Sequence, residues 1–234
     1  MDSENRMPVR SSLVTLALAV ALFAAGCSDI VGSHPPAVGQ QALTVAPHIL
    51  RWPGTLPPQF SAVGAPAGRG NGGVVRITGL SLDQYSGTFW AVRGEQRRVQ
   101  INYLSSTGDT SFPFLRLTIA DPVYVPGRGD LAPGDSVLVT VSIDPDQIKV
   151  SLEPTGMLFG DPAQLQISYG GADGDLSGDG VVDSTDSDIE SRLLGLWYRE
   201  GADSAWTPIQ SIQSLADKSF TSALPHFSEY AVSW

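Results

Sequence analysis

The sequence contains little of what builds disulfides, zinc sites or nucleic-acid surfaces. With one cysteine among 234 residues, no disulfide can form within the chain and no zinc site can be built from cysteines. Three histidines leave little for a catalytic design that needs two. The net charge is −10, and so acidic a chain lacks the clustered lysines and arginines that bind phosphates. We therefore expect no nucleic-acid partner.

Charge of either sign is scarce, whereas glycine and proline are plentiful. Charged residues make up 16% of the chain, which has 25 glycines and 17 prolines. Such a composition favours many short strands joined by turns over long helices. The hydrophobic share of 42% is enough to build a core. The composition predicts an all-β protein.

The N-terminus has the pattern of an exported protein. Two arginines precede an apolar run at residues 13–25, which is too short to span a bilayer comfortably. Small residues Ala24-Ala25-Gly26 then lead directly to Cys27. This junction resembles the lipobox of bacterial lipoproteins, although Ala24 stands where that family usually has leucine. The alternative is an ordinary secretory signal with a coincidental cysteine.

The lipobox resemblance implies where the protein is located. Residues 1–26 would be a signal peptide that is removed, and Cys27 would carry acyl chains buried in a membrane. Two or three acyl chains hold a protein stably on a membrane, whereas one does not. We therefore expect a lipid-anchored protein of the bacterial cell envelope, with its folded part outside the cytoplasm.

Two segments follow the predicted signal peptide. Residues 27–73 are rich in Pro and Gly breaks, which predicts a tether. From residue 74 to residue 234, short runs alternate between apolar and polar positions, as β-strands do. Strands at this spacing, separated by turn residues, predict an antiparallel β-sandwich. The predicted strands are Val74–Thr78, Thr88–Val92, Arg98–Leu104, Phe114–Ile119, Ser136–Ile143, Gln147–Leu152, Gln164–Tyr169, Leu196–Arg199, Ser219–Leu224 and Ser228–Ser233.

From about residue 110 the sequence resembles a ZU5-like β-sandwich. The resemblance is carried by Glu153-Pro-Thr-Gly-Met-Leu-Phe, Leu196-Trp-Tyr-Arg and a closing Pro225-His-Phe-Ser-Glu-Tyr-Ala-Val. It implies that a His-Phe-Ser tripeptide could cleave itself, as in some members of that family. Ser228 would then attack the carbonyl of Phe227 while His226 assists proton transfer. We favour the alternative, in which the tripeptide belongs to a core strand, and we expect no catalytic residues.

Residues 175–186 have the pattern of a calcium loop of twelve positions. Gly180 falls at the sixth position, where such a loop turns sharply, and Val181 at the seventh would offer its backbone carbonyl. Oxygen-rich ligands at these positions suit Ca²⁺, so we expect a structural calcium site. The side-chain oxygens at the first, third, fifth, ninth and twelfth positions belong to Asp175, Ser177, Asp179, Asp183 and Asp186.

This calcium loop resembles the EF-hand-type loop of dockerin modules. It ends in aspartate and precedes one short helix, predicted over Ser187–Leu194 with Ile189 and Leu193 on one apolar face. Val182 is expected to point into the core. A dockerin has two such loops and this chain has one, which makes a cohesin partner doubtful. The alternative is a solvated acidic turn without a metal.

The sequence favours a binding protein over an enzyme. It has neither the G-x-S-x-G nor the H-E-x-x-H pattern. We therefore expect a non-catalytic binding or scaffold module, anchored in the membrane through acylated Cys27, with a protein or glycan partner. The alternatives are a self-processing protein and an accessory protein of a glycan-directed hydrolase. Exposure of Trp90, Trp197 or Trp206 would favour a glycan partner.

Overall fold

The computed structural model describes residues 46–53, 58–65, 78–80, 85–104, 110–172 and 174–234. The predicted signal peptide and Cys27 lie outside these residues, so both stay predictions. Most of the predicted strand Val74–Thr78 lies outside them too. None of the helices in the described ranges is long and apolar enough to cross a membrane.

The described chain consists mainly of β-strands, as the composition predicts. The short helix α1 (Ser184–Asp188) continues as a π-helical turn, Ile189–Leu193, and a 3₁₀ turn covers Gly170–Ala172. The strands are β1 (Phe60–Ala65), β2 (Thr78–Leu80), β3 (Ser86–Val92), β4 (Arg97–Leu104), β5 (Thr110–Ile119), β6 (Pro122–Val125), β7 (Gly129–Asp130), β8 (Ser136–Ile143), β9 (Lys149–Glu153), β10 (Leu158–Ser168), β11 (Gly195–Arg199), β12 (Thr207–Pro208), β13 (Ile212–Ser214), β14 (Ser219–His226) and β15 (Glu229–Ser233).

The strands form two antiparallel sheets, which confirms the predicted all-β sandwich class. The larger sheet has the order β13-β14-β10-β5-β4-β1-β2, with β6 and β7 attached beside β10. The smaller sheet has the order β12-β11-β15-β9-β8-β3. In the smaller sheet the last strand along the chain, β15, is therefore central, between β11 and β9.

The core follows the period-two alternation of the sequence. In β8 the residues Val137, Val139, Val141 and Ile143 are all buried. Leu165 and Ile167 of β10 are buried in the same way. Each large apolar side chain that is fully removed from water contributes about 1.5–3 kcal/mol, so these two strands are major contributors to stability.

Part of the predicted tether, 27–73, belongs to the sandwich. Leu50 and Trp52 are buried, and the Trp52 Nε1 donates to the Asp144 carbonyl at 2.9 Å. Strand β1 pairs with β4 along six residues. The tether prediction is wrong for these residues, because Pro and Gly near them hide the periodicity by which a strand is recognised.

The predicted helix exists but begins three residues earlier than expected, at Ser184. Asp183 caps it, because its side chain accepts from the Thr185 N–H at 2.6 Å. The helix then widens, and the Leu194 N–H donates to the Ile189 carbonyl at 2.9 Å. This π-helical turn leaves Ile189 buried but turns Leu193 outward, 58% exposed. Leu193 was therefore wrongly placed on the buried face.

Candidate calcium loop and His-Phe-Ser junction

The first half of the loop is folded around Asp175. Its Oδ1 accepts from the Gly178 N–H at 2.8 Å and from the Ser177 hydroxyl at 3.3 Å. Its Oδ2 accepts from the Gly180 N–H at 2.8 Å. Gly180 has φ +87°, so the sharp turn predicted at the sixth position is present. One carboxylate therefore holds three of the next five residues in a tight turn.

The second half of the loop is closed by Asp186. Its Oδ1 accepts from the N–H groups of Leu176 and Ser177, both at 2.8 Å. Its Oδ2 accepts from the Asp183 N–H at 2.8 Å. The N–H bonds from Asp183 and Ser177 hold the pKa of Asp186 below its usual range. The twelfth position of the loop is thereby tied to the second and third.

The loop is attached to the smaller sheet at its second residue. Leu176 is buried, and its carbonyl accepts from the Trp234 Nε1 at 3.1 Å. Ile189, in the turn that follows α1, is also buried. Val182, which the sequence placed in the core, is 66% exposed, so that prediction is wrong. The loop is therefore fixed at its two ends and exposed between them.

The carboxylates are not gathered around one point. Within the part of the chain that the structure describes, no three Asp, Glu, His or Cys side chains form a group that could hold a metal ion. Asp179 accepts from the Val181 N–H at 2.8 Å, and Asp183 caps α1. Both are exposed, so their side chains have room to turn. Binding an ion would require these two carboxylates to move towards Asp175.

The donor set still suits calcium. All of the predicted side-chain ligands are oxygens, which is the chemistry that Ca²⁺ requires. The Oδ1 atoms of Asp175 and Asp186 each accept two hydrogen bonds, but their Oδ2 atoms accept one each and keep a second lone pair for an ion. The residues present therefore fit the ion, with Asp175 and Asp186 already fixed and the others adjustable.

The His-Phe-Ser junction lies between β14 and β15. Phe227 is fully buried and stacks edge-on against Phe159, with ring centroids 5.1 Å apart. Its carbonyl accepts from the Gly156 N–H at 2.8 Å, and the Nδ1 of His226 lies 3.2 Å from the same oxygen. The carbonyl that self-cleavage would attack is therefore within reach of two polar groups.

The nucleophile that self-cleavage requires is directed elsewhere. The Ser228 hydroxyl is buried and donates to the carbonyl of Arg199. The Nε2 of His226 faces Glu200 at 3.2 Å, and the Tyr230 hydroxyl donates to the His226 carbonyl at 2.6 Å. The serine hydroxyl is therefore not paired with the histidine ring, as self-cleavage would require.

The tryptophans that could indicate a glycan site differ in exposure. Trp90 is 57% exposed and lies opposite Leu138 on the outer face of the smaller sheet. Trp206 is half-buried under the guanidinium of Arg199, which lies 4.9 Å from its ring centroid. Trp197 is half-buried and donates to the Ser233 carbonyl at 3.2 Å. Of the three, Trp90 alone presents a largely exposed ring.

Sequence reasoning missed a row of polar side chains on the outer face of the larger sheet. Gln100, Arg116 and Gln166 lie on three adjacent strands and are directly opposite one another. The signal was present in the polar positions of the alternating strands, but it becomes a site only once the strand order is known. No protein-family model, curated protein or solved structure matches this chain.

Proposed function

We propose that this protein is a lipid-anchored, calcium-binding module of the bacterial cell envelope that binds a partner without catalysing a reaction. The observation that carries the proposal is the closed twelve-residue loop. Asp175 at its first position and Asp186 at its twelfth accept backbone N–H groups from within it. The ZU5-like character of residues 110–234 and the acylation of Cys27 belong to the same proposal.

The role proposed for calcium is structural. The loop lies in the connection between β10 and β11, which belong to different sheets. Four aspartates would repel one another if they were drawn together in this loop, and a bound cation would offset that repulsion. An ion that binds only the folded protein stabilises it by about 2.7 kcal/mol at a hundredfold excess over Kd. Calcium would therefore fasten this connection to the sandwich.

Thermal unfolding of the purified protein tests the calcium site. Extracellular calcium modules often have Kd values of about 10⁻⁴ to 10⁻³ M, so the ion is titrated through the millimolar range. We expect the melting temperature to rise by several degrees with Ca²⁺ and to rise much less with Mg²⁺, which prefers a tighter octahedron. Chelation should reverse the increase.

Matched aspartate variants show whether the loop is responsible. Asp175→Asn should abolish the calcium response, whereas Asp203→Asn, in the exposed turn after β11, should leave it intact. If calorimetric titration at millimolar calcium gives no binding, the calcium role is wrong. An equal response in both variants would mean that calcium binds elsewhere.

A separate experiment tests the lipid anchor. The full-length gene is expressed in a bacterium supplied with a labelled fatty-acid analogue, and the membrane fraction is isolated. We expect label in the wild-type protein and none in Cys27→Ser, which should leave the membrane fraction. Unchanged labelling and fractionation of Cys27→Ser would contradict the anchor.

A further inference from the structure

A polar row crosses the outer face of the larger sheet. Gln100 of β4, Arg116 of β5, Gln166 of β10 and Thr221 of β14 are directly opposite one another in the strand register. Because neighbouring strands lie about 4.8 Å apart, this row is about 14 Å long. Arg98, Thr118 and Gln164 form a second row beside it, two residues along each strand. We call these seven residues the Arg116 face.

Hydrogen bonds hold the side chains of the first row in place. The Arg116 Nε donates to the Gln100 Oε1 at 2.8 Å, and its Nη1 donates to the Gln166 Oε1 at 3.1 Å. Gln166 in turn donates to the Ser219 hydroxyl at 3.2 Å, and Gln100 to the Asn102 Oδ1 at 2.7 Å. Side chains that are already ordered lose less entropy when a ligand binds. The row is therefore preorganised on a rigid sheet.

The positive charge of the Arg116 face comes from two exposed arginines. Arg116 and Arg98 are exposed, and no ion pair of either is found in the described ranges, whereas five other arginines there are paired with acids. The protein as a whole has a net charge of −10. Two uncompensated guanidinium groups on an acidic protein are complementary to carboxylates, which arginine binds with two parallel hydrogen bonds.

The shape of the Arg116 face suits an elongated ligand. Two adjoining shallow depressions of about 500 and 350 Å³ share Arg116 and Gln166. The larger depression is bordered by the ring of Phe112, which is 44% exposed, and by Asp217 and Lys218. An exposed aromatic ring beside amides and hydroxyls offers an apolar surface next to hydrogen-bonding groups. This combination fits a ligand that is polar at its edges and apolar on its faces.

We propose that the Arg116 face binds a polysaccharide that contains carboxylate sugars. Gln100, Gln166 and Thr221 can each donate and accept, as sugar hydroxyls do, and Arg116 and Arg98 match the carboxylates. This proposal rests on the proposed function, because it names the ligand of the binding module. It involves none of the residues of the candidate calcium loop.

A nucleic acid fits less well than such a glycan. Duplex DNA carries one charge per about 1.7 Å, and its binding requires clustered basic residues. Two arginines and a lysine on a protein of charge −10 do not provide such a cluster. A chain with at most one carboxylate per sugar needs far fewer cations.

Binding is measured by calorimetric titration of the full chain, purified in detergent, at about 1 mM calcium. The probes are tetramers of galacturonate, glucuronate and mannuronate, neutral tetramers of galactose and glucose, and a single-stranded DNA oligonucleotide. We expect at least one uronate to bind, its neutral counterpart to bind at least tenfold more weakly, and DNA to bind weakest. Added salt should weaken uronate binding, because screening reduces the attraction between exposed charges.

Variants assign the binding to the Arg116 face. Arg116→Gln should weaken uronate binding about tenfold, the loss of one charge-assisted pair. Arg116→Lys keeps the positive charge but lacks the planar guanidinium that forms two parallel hydrogen bonds. Its affinity for uronate should lie between those of Arg116→Gln and wild type. Arg192→Gln is the matched control, because Arg192 is an exposed arginine beyond α1 and distant in sequence from this face. It should bind like wild type.

Three results would overturn the proposal: no binding of any uronate at millimolar concentration, equal binding by Arg116→Gln and wild type, or tighter binding of DNA. The calcium response of the melting temperature is measured on the same proteins. If Arg116→Gln keeps that response and wild type binds no uronate, the glycan proposal fails alone. If wild type and Asp175→Asn both bind uronate but wild type shows no calcium response, the calcium function fails alone.

Discussion

The candidate calcium loop and the His-Phe-Ser junction are both short polar segments, but local contacts hold the first and contacts between distant parts of the chain hold the second. In the loop, the bonds to Asp186 join residues at most ten apart. At the junction, the Ser228 hydroxyl bonds a carbonyl 29 residues away, and the Ser228 carbonyl accepts from the Leu152 N–H. The loop can take its shape from its own side chains, whereas the junction takes its shape from the packed sandwich.

The largest effect is expected at the junction, from Phe227→Ala. Phe227 is fully buried, and removing such a ring from a packed core costs about 3–5 kcal/mol. Chemical denaturation measures the free energy of unfolding. Phe112→Ala, at an exposed ring, is the control and should cost much less. A loss below about 1 kcal/mol for Phe227→Ala would show that the junction is not fixed by packing.

The loop should respond to acid and to Asp186→Asn. The pKa of Asp186 is lowered in the folded protein, so its contribution to stability is present above the unfolded value of about 3.9 and is lost as the pH falls below it. We expect Asp186→Asn to reduce this acid sensitivity and to abolish the calcium response. Thermal unfolding from about pH 3 to about pH 7, a range that covers the titration of aspartate, measures the acid sensitivity and the calcium response. Acid profiles that match between variant and wild type would contradict the role of Asp186.

A smaller effect is expected for Ser228→Ala. The substitution leaves the Arg199 carbonyl without its buried donor, at a cost of about 1–3 kcal/mol. Because the hydroxyl is directed away from His226, we expect the intact mass under denaturing conditions to be that of a chain uncut at Phe227–Ser228. A wild-type protein that loses Ser228–Trp234, and retains it in Ser228→Ala, would show that the junction cleaves itself.

The smallest effect is expected for Tyr230→Phe, which probes the junction at alkaline pH. Burial raises the pKa of Tyr230 far above its usual value of about 10. Its contribution is therefore present below about pH 10 and is lost as the pH rises further. The variant should lose about 0.5–1.5 kcal/mol at neutral pH, because the bond to the His226 carbonyl disappears. Above about pH 10 its free energy of unfolding should also fall less steeply with pH than that of wild type. An unchanged alkaline profile would mean that other tyrosines cause this sensitivity.

Whether a feature could be predicted from the sequence depends on whether its contacts are local or distant along the chain. The predicted strand Ser136–Ile143 is confirmed at both ends, because its alternation is uninterrupted. The turn at Gly180 and the helix after Asp183 also come from neighbouring residues. These features depend on the local chain, so the sequence pattern identifies them without knowledge of the fold.

Features that depend on strand order could not be predicted. Strand β1 was missed because its pairing with β4 lies outside any local pattern. Leu193 was placed inward because a π-helical turn shifts the periodicity of an α-helix. The Arg116 face joins residues as far apart as Gln100 and Thr221, and only the register of four strands aligns them.

The central position of β15 has a consequence for the order in which the molecule can fold. A polypeptide emerges from the ribosome with β3, β8 and β9 first, then β11 and β12, and the strand that joins these two groups comes after all of them. Until β15 emerges, the smaller sheet exists only as separate pieces with unpaired edges. Such contacts between distant parts of a chain form slowly. The smaller sheet can therefore be completed only after β15 has been synthesised.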